Sequence, residues 1–250
     1  MSEFTGRRVL ITGAAGGLGT ALASALVGAG AHVIATDRDE AKGVALAAAM
    51  PAGPGRLSFE LFDQGDPAAV AGFAADVTAR HGPVDSLVNN AAIYPKARIE
   101  ALAPDEAAAV FDVNLRASAA FAAALAPGMR KAGFGRIVNV ASITFDLGFE
   151  ELSAYVATKG GLIGLARVWA RELGPDGITV NAISPGAFRT DAEKIHPDPA
   201  GYNRFVLDRQ AVKRRGVPGD FAHLAMFLLD ARTSFITGQV IRVDGGWVTQ

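Results

Sequence analysis

Five runs in this chain are apolar on successive residues: Val9–Thr12 (VLIT), His32–Thr36 (HVIAT), Ser86–Asn90 (SLVNN), Arg136–Val140 (RIVNV) and Ile178–Ile183 (ITVNAI). A strand with one face in water alternates apolar and polar residues. Consecutive apolar residues mark a strand covered on both faces, as in a parallel sheet between helices. The strands predicted are Arg8–Ile11, His32–Thr36, Arg56–Glu60, Ser86–Asn89, Arg136–Val140, Ile178–Ile183 and Val240–Val243. Alanine-rich helical stretches near 17–29, 39–50, 66–80, 105–129, 153–173 and 219–229 separate them. This alternation predicts an α/β fold, a doubly wound parallel sheet of about seven strands with right-handed crossovers.

The chain has 250 residues, half of them apolar, enough for a full core. No Pro/Gly/Ser-rich linker or repeat divides it, so residues 1–250 are expected to form a single domain. Lys+Arg number 24 against 25 Asp+Glu, a net charge of -1. That balance offers no basic footprint for nucleic acid or an anionic membrane. Cysteine is absent, which removes disulfides, thiolate metal sites and thiol catalysis, and fits a reducing compartment. The start, MSEFTGRRVL, lacks the apolar core of a signal peptide, and the apolar run near Ala117–Ala126 falls short of the ~18 residues that span a bilayer. A cytoplasmic protein without membrane contact is expected. The four histidines, His32, His81, His196 and His223, are scattered at no ligand spacing, so no metal is implied.

Directly after the first strand comes Thr12-Gly13-Ala14-Ala15-Gly16-Gly17-Leu18-Gly19, leading into a helix. Glycine allows a sharp turn and lets a pyrophosphate approach the backbone. The helix N-terminus then presents free N–H groups and partial positive charge. Between a strand and a helix at the start of a βαβ unit, this is the setting a dinucleotide-binding turn requires. Asp37, at the end of the second strand, is placed to accept both adenosine ribose hydroxyls and to repel a 2′-phosphate, which favours NAD over NADP. Arg38 beside it could instead pair with that phosphate.

Further along, Tyr155 and Lys159 are i and i+4 on one helix, so they share a face. A phenol near pKa 10 is a poor acid–base catalyst at neutral pH, and a neighbouring ammonium favours its phenolate. Ser142 ends the fifth strand, at the sheet edge where open α/β folds bind ligands. Its hydroxyl can hold a substrate oxygen while Tyr155 moves the proton.

The order and spacing of these elements resembles the short-chain dehydrogenase/reductase family along the whole chain. The matching elements are the pattern T-G-x-x-x-G-x-G ending at Gly19, Asn89-Asn90-Ala91-Ala92, Val113-Asn114-Leu115, Ser142, Tyr155-x-x-x-Lys159, Pro185-Gly186, Thr237-Gly238-Gln239 and Val243-Asp244-Gly245-Gly246. The resemblance implies a Rossmann-type domain that exchanges a secondary alcohol with a ketone using NAD. It implies catalytic roles for Asn114, Ser142, Tyr155 and Lys159. Asn114 would hold a relaying water and Lys159 would also orient the nicotinamide ribose. It implies cofactor contacts from Gly13, Gly17, Leu18, Gly19, Asp37, Asp63 (on adenine), Gln64 (through its backbone), Asn90, Tyr155, Lys159, Pro185, Gly186 and Thr190 (on the carboxamide). Two residues depart from the pattern. Ala92 stands where glycine is usual, and Gln64 where a small aliphatic is usual. The family also implies a homotetramer, paired through helices 105–129 and 153–173 and through the last helix and strand.

The stretch from Gly186 to Gly216 is too long for a plain connection and too apolar for disorder, so a substrate lid is expected near 186–216. Tyr94, Ser142, Thr144, Phe145, Leu152 and Phe188 are the expected substrate contacts. Their apolar and aromatic character suits a hydrophobic ligand. The segments Ile93-Tyr94-Pro95 and Ser142-Ile143-Thr144-Phe145 are similar to those of members acting on aromatic or cyclic alcohols. Two alternatives stay open: an NADPH-dependent 3-ketoacyl reductase, which Asp37 opposes, and a non-catalytic dinucleotide-binding regulator, which has no use for Ser142, Tyr155 and Lys159 together.

Overall fold

A computed structural model describes residues 3–190, 193 and 197–249. Seven parallel strands form one sheet: β1 (Arg8–Thr12), β2 (His32–Asp37), β3 (Arg56–Leu61), β4 (Ser86–Asn89), β5 (Gly135–Val140), β6 (Ile178–Pro185) and β7 (Val240–Val243). Their order is β3-β2-β1-β4-β5-β6-β7. The chain winds one way from β1 to β3, then returns past β1 to β4 and winds the other way. That reversal opens a crevice at the carboxyl ends of β1 and β4, where open α/β sheets bind ligands.

Successive strand side chains point to opposite faces, and both faces are covered. Val9 and Ile11 pack on one side with Leu22 and Leu26 of α1 (Gly17–Gly28) and Phe221 and Leu228 of α9 (Pro218–Leu229). Leu10, Ile34, Leu87 and Ile137 pack on the other with Phe121 and Leu125 of α5 (Ala117–Ala132) and Ile163 of α7 (Ser153–Leu173). Among the described residues the remaining α-helices are α2 (Glu40–Ala48), α3 (Val70–His81), α4 (Pro104–Phe111), the short α6 (Thr144–Leu147) and α8 (Pro199–Arg209).

Each predicted strand is present; β4 and β7 keep the predicted ends, and the others shift by one or two residues. Three helical expectations change. The stretch 66–80 starts as a turn around Pro67 and becomes helix only at Val70. The single helix over 105–129 is α4, a π-helical turn (Asp112–Arg116) and α5 in succession. The widened turn carries Asn114, whose side chain bonds the Ile93 backbone and the Thr158 hydroxyl, and such insertions are common at functional sites. The stretch 186–216 carries its own helix, α8, whose first residue Pro199 follows an N-cap at Asp198.

Residues 104–132 form 29 continuous helical residues, apolar enough by composition to span a bilayer. Here α5 instead buries Phe121 and Leu125 among the sheet and its neighbouring helices, and Asp112, Arg116, Arg130 and Lys131 punctuate the run.

Candidate active site

The turn after β1 is held from beneath. The Thr12 hydroxyl oxygen accepts from the backbone N–H groups of Asn90 and Ala91, both at 3.1 Å. The Asn90 amide donates back to the carbonyls of Thr12 (3.0 Å) and Gly13 (2.9 Å). This stapling brings the backbone so close that a Cβ on Gly13 (φ 61) would lie 2.7 Å from the Ala91 Cα. Thr12 is therefore a positioning residue that its place in the motif alone did not reveal. Helix α1 begins at Gly17 with no side chain capping its N-terminus, so its first N–H groups remain available.

A cleft of about 530 Å³ runs from this turn across the sheet edge. At one end lie Asp37, Arg38, Lys42 and Asp63, and at the glycine turn Gly13, Gly17, Leu18 and Asn90. Gly19 lies inside the turn instead, where a Cβ would meet the Gly13 carbonyl at 2.7 Å. Asp37 accepts from the N–H of Ala15 and of Asp39, both at 3.1 Å, so its carboxylate is fixed at the rim. From the opposite side come Pro185, Gly186 and Thr190, whose side chain stands where a Cβ on Gly17 would be, 2.6 Å away.

Ser142, Tyr155 and Lys159 meet in the middle of the cleft. Ser142 leaves β5, and its Oγ accepts from the Thr144 hydroxyl (2.9 Å) and N–H (3.2 Å), which fixes its rotamer. Tyr155 and Lys159 project from the first turns of α7. Lys159 is 1% exposed, and its ammonium donates to the Val140 carbonyl at 2.6 Å and lies 5.3 Å from the Tyr155 ring centre. Burial alone pulls Lys159 down to about 7. Burial pushes Tyr155 up to about 12, with the Ser142 hydroxyl pulling the other way. Burial thus dominates both groups and disfavours the charged form of each.

Asn114 reaches this site from behind. It is fully buried, outside the cleft lining, with its Oδ1 accepting from Ile93 N–H (2.8 Å). Its Nδ2 donates to the Ile93 carbonyl (2.9 Å) and the Thr158 hydroxyl (3.2 Å). Gln64, expected to act through its backbone, also uses its side chain, which donates to the Val113 carbonyl at 2.7 Å.

Of the expected substrate contacts, Tyr94, Ser142, Thr144, Leu152 and Phe188 line the cleft. Phe145 does not. The α6 turn swings its ring against Gly160, where a Cβ would be 2.6 Å from it, and leaves it 46% exposed. Leu152 follows Glu151, a non-glycine residue at φ 63, whose carbonyl accepts from Ala97 N–H at 2.9 Å. Strain at that corner is carried by the bridge between Ala97 and Leu152. Glu193 and Tyr202, not singled out from sequence, also line the cleft.

The family model described as Enoyl-(Acyl carrier protein) reductase matches residues 13–248. The chain is 35% identical over 246 residues to D-xylose 1-dehydrogenase of Caulobacter vibrioides, covering 97% of this chain and 96% of that protein. The chain belongs to the short-chain dehydrogenase/reductase family. Its identity is 34% over 243 residues to 3-oxoacyl-(acyl-carrier-protein) reductase FabG of Thermotoga maritima, covering 97% and 98% of the two chains. The crystal structure of a 3-oxoacyl (acyl-carrier-protein) reductase from Agrobacterium tumefaciens with NADP bound superimposes with a TM-score of 0.91 at 31% identity, over 97% of this chain and 95% of that one. The matched relatives are oxidoreductases of a family that binds a nicotinamide dinucleotide, and the close-packed glycine turn and uncapped α1 N-terminus fit that group.

Proposed function

We propose that this protein is an NAD(H)-dependent dehydrogenase that interconverts a secondary alcohol and a ketone on an aryl or cyclic small molecule. The observation that carries this reading is the convergence of Ser142, Tyr155 and Lys159 on one cleft beside the glycine turn. In the alcohol-oxidising direction, the Ser142 hydroxyl and the Tyr155 phenol both hold the substrate oxygen. Tyr155, deprotonated to its phenolate, takes the substrate proton as the carbon–oxygen double bond forms, and a bound nicotinamide would supply the hydride acceptor. Lys159 places a positive charge beside the phenol, lowering the cost of its phenolate once the cofactor's polar groups join the site. Asn114 holds the Ile93 backbone and Thr158, and so fixes the wall behind Tyr155.

The preference for NAD rests on Asp37, whose carboxylate is fixed at the end of β2 on the cleft lining. Arg38 and Lys42 line the same end, and Lys42 is occupied by Asp39 at 3.2 Å. The second reading, an NADPH-dependent 3-ketoacyl reductase, draws on those two cations and on the reductases among the relatives. Beside the reacting carbon, Ile93, Tyr94, Leu152 and Phe188 leave an apolar slot suited to a ring.

We take the chain as one catalytic unit whose segment 186–216, with 191, 192 and 194–196 outside the described residues, covers the substrate, working as a homotetramer. Two separate apolar faces support the assembly: Phe111 and Val168 on α4 and α7, and Phe227 with the fully exposed Phe235 at and after α9. Closed two-fold interfaces would cover both. The reading is tested by following NADH formation from NAD⁺ across cyclic and aryl secondary alcohols. Oxidation lost in Tyr155→Phe supports it, and a protein that binds NADH but oxidises nothing contradicts it.

A further inference from the structure

The apolar slot accounts for only one side of the substrate region. Arg215, between α8 and α9, is 5% exposed in its side chain and pairs with Glu193. Its guanidinium lies 5.4 Å from the Tyr202 ring centre, 3.4 Å from the Ala187 carbonyl and 3.5 Å from Asn203 Oδ1. Among the described residues its buried Nε has no partner. Glu193 and Tyr202, unlike Arg215, line the cleft. Burial pushes the Glu193 carboxyl up while Arg215 pulls it back, and the Tyr202 phenol is raised by burial and by the Glu193 charge.

We propose that Glu193, backed by the buried guanidinium of Arg215 and flanked by Tyr202, is an acceptor site for further hydroxyl groups of the substrate, so that the alcohol oxidised is a neutral polyhydroxylated molecule. This rests on the dehydrogenase reading and deepens it. A wholly apolar ligand in the cleft would strip water from a carboxylate already short of it and return no hydrogen bond. A ligand with hydroxyl donors makes charge-assisted bonds to it. A site built to bind a hydroxyl rejects the analogue lacking it far more strongly than an apolar pocket rejects an added one. A carboxylate ligand meets the Glu193 charge first, since Arg215 stands behind the lining.

The test is NAD⁺ reduction by the wild-type protein with myo-inositol, D-glucose and sorbitol against cyclohexanol, 1-phenylethanol and 3-hydroxybutyrate. The highest kcat/KM is expected in the first group. Glu193→Gln, which keeps the size and removes the charge, should cut the ratio of kcat/KM for the best polyhydroxylated substrate to that for cyclohexanol by about tenfold or more, as lost charge-assisted bonds require. Arg215→Met should move the ratio the same way. If cyclohexanol, 1-phenylethanol or 3-hydroxybutyrate is oxidised faster than every polyhydroxylated member, or if Glu193→Gln leaves the ratio unchanged, the acceptor site is overturned while the dehydrogenase reading stands. If no alcohol is oxidised and no matching ketone is reduced, both fall together.

Discussion

The side-chain amide of Gln64 donates to the carbonyl of Val113 at 2.7 Å, tying the loop after β3 to the π-helical turn that carries Asn114. Gln64 is 6% exposed and lines the cofactor end of the cleft, so one residue braces both the adenosine region and the wall behind Tyr155. Gln64→Leu would leave the Val113 carbonyl buried without that donor, a loss of about 1–3 kcal/mol. For a chain of this length that is a fall in Tm of roughly 2–4 °C per kcal/mol, readable by calorimetry. An unchanged Tm would mean the π turn is held without Gln64.

Cofactor preference follows from Asp37. Its carboxylate is already oriented by the N–H groups of Ala15 and Asp39, so ribose hydroxyls meet a fixed acceptor and a 2′-phosphate meets a fixed negative charge. We expect kcat/KM with NADH to exceed that with NADPH by about tenfold or more, roughly 1.4 kcal/mol. Asp37→Ala should shrink the ratio. Equal or better use of NADPH by the wild type would place Arg38 and Lys42 in control.

Acid sensitivity follows from His32. The ring is 7% exposed, bonded at Nε2 to the Ser58 hydroxyl (3.0 Å) and at Nδ1 to Arg56 (3.1 Å), with His81 edge-on at 5.2 Å. Burial first, then the Arg56, His81 and Arg8 charges, lowers it from 6.5 to about 4. A folded-state pKa below the unfolded one means the unfolded chain binds the proton first. The contribution is complete above about 6.5 and is lost as pH falls from there to about 4. Denaturant midpoints across that window should fall more steeply for the wild type than for His32→Gln. Identical slopes would remove His32 as a cause.

The sheet was legible because strands buried on both faces announce themselves, as Val9–Thr12 and Ile178–Ile183 do. Even there β6 runs on through Ser184 and Pro185, because Pro185 pairs with Val243 at the end of the ladder and needs no donor there. Ser142, Tyr155 and Lys159 were readable from spacing, since strand ends and i, i+4 positions map directly onto one edge. The π turn at Asn114 was hidden because the alanine-rich pattern runs through it without a breaker. Phe145 was misplaced because a four-residue helix rotates it onto Gly160. Glu193 and Tyr202 fell inside the expected lid but were not assigned as individual contacts, because their environment depends on Arg215, more than ten residues away in sequence and buried against them in the fold.

The central claim concerns proton transfer at Tyr155, and Tyr155→Phe tests it most directly. The substitution removes one oxygen, keeps the ring that faces Tyr94 at 5.9 Å, and leaves Lys159 on the Val140 carbonyl. NADH binding, followed by fluorescence titration, should stay near wild type. A positioned acid–base group contributes about 10²–10⁴-fold, so steady-state turnover of an alcohol the wild type oxidises well should fall by at least that range. Tyr155→Phe at wild-type turnover would contradict the account.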